Sequence, residues 1–157
     1  MDSEMMGHGT VFYEELRPDE FLERLRRCPI AYLPLGTLEW HGRHLPLGAD
    51  GLQARGVFEL LARRVGGVVM PMLFLGPDSA HVGQDGKTYV GMDIFSFEDG
   101  HPQQLAGSAY HIGEDLFKAL LDTILHNLAR AGFQVVVGHG HWPSIDAFSR
   151  HAPELGG

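Results

Sequence analysis

Apolar residues alternate along the chain between short runs and helical stripes, separated by glycine, proline and polar residues. The run from Ile30 to Leu35 lies between Pro29 and Gly36 and is too short for a helix, so it predicts a buried strand. Residues 68–71 and 133–137 predict two further strands on the same grounds.

Three segments have the spacing of apolar positions that is typical of helices. The first begins near Pro18, the second spans residues 51–65 and stops at Gly66-Gly67, and the third spans about 109–130 before Gly132. The apolar positions behind these predictions are Phe21, Leu22 and Leu25, then Leu52, Val57, Leu60, Leu61 and Val65, then Leu116, Leu120, Ile124 and Leu128.

Strands and helices of these lengths in alternation predict an α/β layer fold with a mainly parallel sheet. A chain of 157 residues is expected to form a single domain, with residues 1–10 flexible. Residues 75–107 are rich in glycine, proline and polar side chains and are interpreted as a long loop region with one strand near 87–91. Such a region is suited to substrate contacts.

Composition narrows the class of function. Twelve basic and twenty acidic residues give a net charge of −8, which weighs against a nucleic-acid partner. The single cysteine, Cys28, excludes an internal disulfide and a thiolate metal cage, as in a reducing compartment. With neither a signal-peptide pattern nor a membrane-length apolar run, we expect a cytoplasmic protein without a membrane partner.

A dense group of metal-ligand side chains follows the first predicted strand: Glu39, His41, His44 and Asp50. Imidazole and carboxylate groups bind zinc, manganese and ferrous iron. In extended backbone Glu39 and His41 face the same side, whereas His44 has the opposite parity and is a structural or supporting candidate. Two roles are open to Asp50, capping the next helix or bridging metals, and a solvated loop remains the alternative for the whole group.

A second histidine group follows the last predicted strand. Residues 138–144 read Gly-His-Gly-His-Trp-Pro-Ser and are interpreted as a glycine-broken loop holding His139 and His141. Sites in parallel α/β sheets form outside the carboxyl ends of strands. We therefore expect this loop to meet the Glu39 group at one edge of the sheet.

Residues 31–50 closely resemble the signature of the creatininase family, the metal-dependent amidohydrolases, in which Leu-Pro-x-Gly-Ser/Thr precedes Glu-x-His-Gly-x-His-Leu-Pro-x-x-x-Asp. Residues 132–141 resemble the family's Gly-Phe, strand, Asn-Gly-His segment, and residues 76–81 resemble its Gly-x-Ser-x-x-His loop. The resemblance implies a three-layer α/β/α subunit assembled as a homo-oligomer, usually a hexamer. It also implies hydrolysis of a non-peptide C–N bond in a small, often cyclic, amide.

Carried over by position, the resemblance implies two divalent metals per chain, with Zn²⁺, Mn²⁺ and Fe²⁺ all suitable. Glu39, Asp50 and His141 would hold one ion, and His41 with a bridging Asp50 would hold the other. The candidates for the remaining roles are His139 and His81 for catalysis and Ser79 and Trp142 for substrate contacts. His139 is also a candidate metal ligand, and a packing or surface role is the alternative for each of these residues.

The chain departs from the family pattern at two positions and in length. Pro143 stands where the family often has a metal-binding Glu, and His139 stands where it has Asn. Family chains ordinarily continue further, so another polypeptide completes the site, the chain is a truncated or degenerate relative, or a smaller site suffices. The leading hypothesis is a metal-dependent amidohydrolase, and the alternative is a catalytically silent binding or assembly subunit. A nucleotide-binding domain is disfavoured because no glycine-rich phosphate loop follows the first strand.

Overall fold

The computed structural model describes residues 9–95 and 103–152, so most of the segment expected to be flexible, 1–10, lies outside the described residues. Four α-helices and seven strands are described, with short 3-10 helices at Tyr13–Glu15 and Gly91–Asp93. The helices are α1 (Pro18–Arg27), α2 (Ala49–Arg64), α3 (Glu114–Ala131) and α4 (Trp142–His151). The strands are β1 (Ile30–Leu35), β2 (Val68–Val69), β3 (Ala80–Val82), β4 (Thr88–Val90), β5 (Ile94–Phe95), β6 (Gln103–Gln104) and β7 (Val135–Gly140).

The central sheet is parallel and has the strand order β2-β1-β7. Ala31 lies opposite Val68 on one side of β1, and Leu35 lies opposite Gly140 on the other. The carboxyl ends of β1 and β7 are therefore side by side. The predicted α/β class with a mainly parallel sheet is confirmed.

Alternate residues of β1 belong to two apolar clusters on opposite faces of the sheet, because successive side chains of a strand point to opposite sides. Leu33 and Leu35 pack with Phe117 and Leu121 of α3 on one face. Tyr32 packs on the other face in a cluster with Val11, Phe58, Ala62 and Val69. Helices on both faces of one sheet give the three-layer α/β/α arrangement.

The buried faces of α2 and α3 differ from the apolar stripes that predicted these helices. Helix α2 buries Gly51, Ala54, Phe58 and Ala62, whereas Leu60 and Val65 are each 61% exposed. Helix α3 buries Phe117, Leu121, Leu125 and Leu128, and Leu116 is 55% exposed. Small residues at a spacing of three and four let α2 approach the sheet closely, which a count of large apolar residues does not detect.

The interpretation of residues 138–144 as a glycine-broken loop is wrong. Strand β7 continues through Gly138 to Gly140, and α4 begins at Trp142. A Cβ built at Gly138 would lie 2.9 Å from the Phe148 ring, and one at Gly140, whose φ is 149°, would overlap the Leu35 carbonyl oxygen. Glycine is therefore required here for close packing within a strand, and it does not break the strand.

The segment interpreted as a long loop contains short antiparallel pairs. Strand β3 pairs with β4, where one strand was expected, and β5 pairs with β6. The buried Asp93 carboxylate ties this segment together, accepting hydrogen bonds from the backbone N–H groups of Val90, Gly107 and Ser108 at 2.9–3.2 Å. Among the described helices, none combines the length and apolar character that crossing a bilayer requires.

Candidate metal centre

A group of carboxylates and imidazoles lies at the carboxyl ends of β1 and β7. Glu39 and His41 are on the loop that follows β1, and the Glu39 N–H donates to the Leu47 carbonyl at 2.9 Å, which closes that loop. Asp50 lies in the first turn of α2, and His141 joins β7 to α4. The parallel pairing of the two strands therefore brings residues distant in sequence to one place.

The potential ligand atoms form two groups of three that share Glu39. Its Oε1 lies 3.3 Å from His41 Nε2 and 3.4 Å from His141 Nε2. His41 Nε2 also lies 3.5 Å from Asp50 Oδ2, and His141 Nε2 lies 3.7 Å from Asp78 Oδ2. Within each group one ligand atom per residue lies within 4.8 Å of the others. The Glu39 carboxylate thus stands between two imidazoles.

The grouping differs from the one that the family resemblance implies. Glu39 is common to both groups, whereas Asp50 joins His41 and is not grouped with His141. The N-cap of α2 is Gly48, with no side-chain cap hydrogen bond, so Asp50 does not cap the helix. Its carboxylate in the first turn interacts favourably with the positive end of the helix dipole.

The orientation of His141 is fixed by a hydrogen-bond chain. The Ser144 hydroxyl donates to the Gly36 carbonyl at 3.1 Å, so its oxygen is free to accept from Nδ1 of His141, 3.3 Å away. With the proton on Nδ1, the lone pair of Nε2 points to Glu39 and Asp78. This is the arrangement by which metal-binding histidines are held in proteins.

Asp78 also lies at this centre, although it is not among the residues predicted for the site from the sequence. Its side chain is 4% exposed, and Oδ2 receives no hydrogen bond from any described residue. In the Gly-x-Ser-x-x-His pattern that residues 76–81 resemble, Asp78 stands at the Ser position. A carboxylate in place of a hydroxyl was the signal in the sequence that could have identified it.

Burial and charge act in opposite directions on the two buried carboxylates. Burial disfavours ionisation of Glu39, but a protonated His141, which donates through Nε2 and attracts the carboxylate, outweighs it together with the Met92 N–H and a protonated His41, so the pKa of Glu39 is lowered while the imidazoles carry a positive charge. For Asp78 burial is the largest effect, and together with the nearby Glu39 charge it raises the pKa above the usual value despite the Ser79 N–H and the charge of a protonated His141. When both imidazoles are neutral, Glu39 and Asp78 lose the positive charges that oppose the cost of their burial.

The other residues predicted for the site lie outside both ligand groups. The His139 ring contacts Phe58 edge-on, with 6.2 Å between ring centroids. His81 and Ser79 are exposed near the start of the β3–β4 hairpin, and Trp142, the first residue of α4, is 75% exposed. Pro143 lies in the first turn of α4. Catalytic and substrate-binding roles for these residues stay predictions.

The residues present fit a divalent metal. The donor set consists of imidazole nitrogen and carboxylate oxygen, which suits zinc, manganese and iron. Buried polar atoms are normally paired, yet Asp78 Oδ2 has no hydrogen-bond partner in the part of the chain that the structure describes. A cation between the carboxylates and imidazoles would supply the missing charge at Asp78.

Comparison with known proteins agrees with this chemistry. The creatininase family model, described as creatinine amidohydrolase, matches residues 14–155. Creatinine amidohydrolase from Pseudomonas putida is 34% identical over 84 residues, which cover 52% of this chain and 32% of that protein. The 3-dehydro-scyllo-inosose hydrolase of Thermotoga maritima is 27% identical over 86 residues, covering 54% of this chain and 28% of that protein.

Solved creatininases share the fold. Creatinine amidohydrolase superposes with a TM-score of 0.68 at 24% identity, covering 93% of this chain and 51% of that one. A mutant creatininase of the Zn-Zn type gives 0.69 at 25% identity, with 94% and 51% covered. A structure described as creatininase Mn gives 0.66 at 25% identity, with 94% and 53% covered. The chain spans about half the length of these proteins.

Proposed function

This chain belongs to the creatininase family, and on that premise we propose that it is a metal-dependent amidohydrolase cleaving a non-peptide C–N bond in a small amide, cyclic amides included. The observation that carries the proposal is the position of Glu39, whose Oε1 lies within 3.4 Å of both the His41 and His141 imidazoles. Two imidazoles about one buried carboxylate form a donor set for two adjacent cations.

We propose two divalent ions per chain, Zn²⁺ or Mn²⁺ in the first place and Fe²⁺ as the further option. Similar proteins include a creatininase of the Zn-Zn type and creatininase Mn. When bound, such ions activate water and polarise a carbonyl oxygen. His41 with Asp50 would hold one ion, and His141 would hold the other, with Glu39 between them.

The rest of the chain positions these groups and receives the substrate. Ser144 holds the His141 imidazole with Nε2 facing the site, which avoids reorganisation when a ligand binds. The exposed Trp142 ring is the proposed stacking surface for a flat amide. His81 and His139 are the proposed proton-transfer candidates, and Ser79 is a proposed hydrogen-bonding contact.

The substrate is therefore proposed to be a small molecule, and a net charge of −8 disfavours nucleic acid as a partner. A homo-oligomer, as the family resemblance implies, is the proposed assembly. The sequence composition supports a cytoplasmic location as part of the same proposal.

The test is turnover of a panel of cyclic and linear amides by protein loaded with Zn²⁺, Mn²⁺ or Fe²⁺. We expect hydrolysis of at least one member, lost in His41→Ala and retained in the matched variant His126→Ala, whose side chain is exposed on α3. Turnover that His41→Ala leaves intact contradicts the proposal.

Pro143 favours a second candidate, a catalytically silent relative that serves as a binding or assembly subunit. Proline offers no side-chain ligand at a position where the family often has a Glu. In that case the chain binds metal at the same centre, and no member of the amide panel is turned over with any of the three metals.

A further inference from the structure

We propose that Asp78 is a direct ligand of the divalent ion held by Glu39 and His141, which gives this chain a carboxylate-imidazole-carboxylate site of its own. The inference rests on the proposed function, because it concerns one of the two cation sites proposed above. Asp78 is not among the residues selected by the family signature or by the histidine pattern. It lies on a different loop from Glu39 and His141.

The Asp78 carboxylate lies beside the imidazole of His141. Oδ2 lies 3.7 Å from His141 Nε2, the atom that the Ser144 hydrogen bond leaves without a proton when the imidazole is neutral. One ligand atom each from Asp78, His141 and Glu39 lies within 4.8 Å of the others. Donors at such separations need only small shifts to contact one ion, since metal bonds to these atoms are about 2.0–2.2 Å long.

Only one oxygen of the Asp78 carboxylate has a hydrogen-bond partner among the described residues. Oδ1 accepts a hydrogen bond from the Ser79 N–H at 2.8 Å, whereas Oδ2 is buried and receives none. A buried carboxylate oxygen without a donor destabilises the fold, because nothing replaces its lost hydration. An arrangement of this kind beside a second carboxylate is explained when a cation binds between them.

Space is kept open beside the two carboxylates. Gly91 has a φ of 54°, and a Cβ built there would collide with Asp78 Oδ2 and with Glu39 Oε2. The Gly91 N–H donates to the Ser79 carbonyl at 2.8 Å, which fixes this backbone against the Asp78 loop. Any other residue would therefore displace Asp78 Oδ2, the oxygen that faces His141.

The experiment compares full-length wild-type protein with Asp78→Asn in Zn²⁺ competition titrations and in Co²⁺ absorption spectra. Asn keeps the size of the side chain and the acceptor for the Ser79 N–H while removing the charge. The matched control is Asp85→Asn, because the Asp85 oxygens already accept from the Tyr89 hydroxyl and the Lys87 N–H on the same hairpin.

We expect wild type and Asp85→Asn to bind two Zn²⁺ ions with the same affinities. Asp78→Asn should bind one ion at wild-type affinity and the other more weakly. The affinity for that second ion should fall by more than the roughly 10–100-fold that is typical when a residue hydrogen-bonded to a metal ligand is removed. The Co²⁺ spectrum should change only in Asp78→Asn. The metal-free Asp78→Asn protein should melt no lower than wild type, whereas a purely structural carboxylate would lower the melting temperature and leave metal affinity unchanged.

Two failures are distinguishable. If the wild type binds no Zn²⁺, the proposed function fails, and the inference fails with it. If the wild type binds two ions and Asp78→Asn binds both equally well, only the role of Asp78 is overturned. Should Asp78→Asn not fold, Asp78→Ser, which places a hydroxyl at this position, replaces it with the same expected loss of one ion.

Discussion

His141 Nδ1 lies 3.3 Å from the hydroxyl oxygen of Ser144, and this contact determines which nitrogen of the imidazole faces the metal centre. The hydroxyl proton is committed to the Gly36 carbonyl, so the imidazole must donate. A single serine thus links the tautomer of the histidine to the backbone at the end of β1.

Ser144→Ala should weaken divalent-metal binding by about 10–100-fold, because His141 loses the acceptor that holds its Nδ1 proton. The variant should also lose about 1–3 kcal/mol of unfolding free energy, since the buried Gly36 carbonyl loses its donor. Zn²⁺ competition titrations and urea denaturation measure the two effects.

The matched control is Ser108→Ala, which removes another buried hydroxyl, 8% exposed and without a hydrogen-bond partner among the described residues. It should leave metal affinity unchanged. Equal Zn²⁺ affinity in Ser144→Ala and wild type would show that the hydrogen bond does not position the imidazole.

Zn²⁺ or Mn²⁺ should stabilise the metal-free protein, because the buried carboxylates Glu39 and Asp78 gain a divalent cation. At 100 times the dissociation constant the gain is about 2.7 kcal/mol by mass action. Thermal unfolding with metal and with a chelator measures it. An unfolding midpoint that does not change with Zn²⁺, Mn²⁺ or Fe²⁺ argues against a metal site at this position.

His139→Ala should keep the wild-type metal content, since the ring contacts Phe58 and lies in neither ligand group. The expected loss is about 0.5–1.5 kcal/mol of unfolding free energy from the ring contact. His141→Ala, two residues further on, should lose an ion. Metal analysis of the two purified variants tests this, and a metal loss in His139→Ala would return that residue to the ligand set.

Gly140→Ala should lose several kcal/mol of unfolding free energy or fail to fold, because its φ of 149° is strained for alanine and the new Cβ would overlap the Leu35 carbonyl oxygen. Gly56→Ala is the opposite control. Gly56 is exposed inside α2 with nothing within 4 Å of a new Cβ, so the unfolding free energy of Gly56→Ala should rise by about 0.5–1 kcal/mol. Urea denaturation should give changes of opposite sign, and a tolerated Gly140→Ala would contradict the close packing of β7 on β1.

The sequence predicted the fold where local signals are sufficient. The bounds of β1 agree with the apolar run between Pro29 and Gly36, because both flanking residues limit the strand locally. Helix α4 was missed because Gly138 and Gly140 are typical of loops. What keeps them in a strand is the proximity of Phe148 and of the Leu35 carbonyl, which no local pattern reveals.

The residues of the candidate site likewise include some that a local pattern reveals and one that depends on the tertiary structure. Glu39 and His41 could be found because alternate residues of extended backbone share a side, and the structure has them 3.3 Å apart. Asp78 could not be found by spacing, because its position depends on the turn at Gly91 and on a loop from another part of the fold. The exposed apolar stripe of α2 shows likewise that periodicity predicts a helix but not the face that packs.

We propose that Glu39 is shared by two cation sites, and the metal content per chain of Glu39→Gln gives the sharpest test of this sharing. Glu59→Gln is the control, because Glu59 pairs with Arg63 on the surface of α2. We predict about two divalent ions in wild type and Glu59→Gln and none held stoichiometrically by Glu39→Gln. Wild-type metal content in Glu39→Gln, or a wild type that binds no metal after incubation with excess Zn²⁺, Mn²⁺ or Fe²⁺, would contradict the shared site.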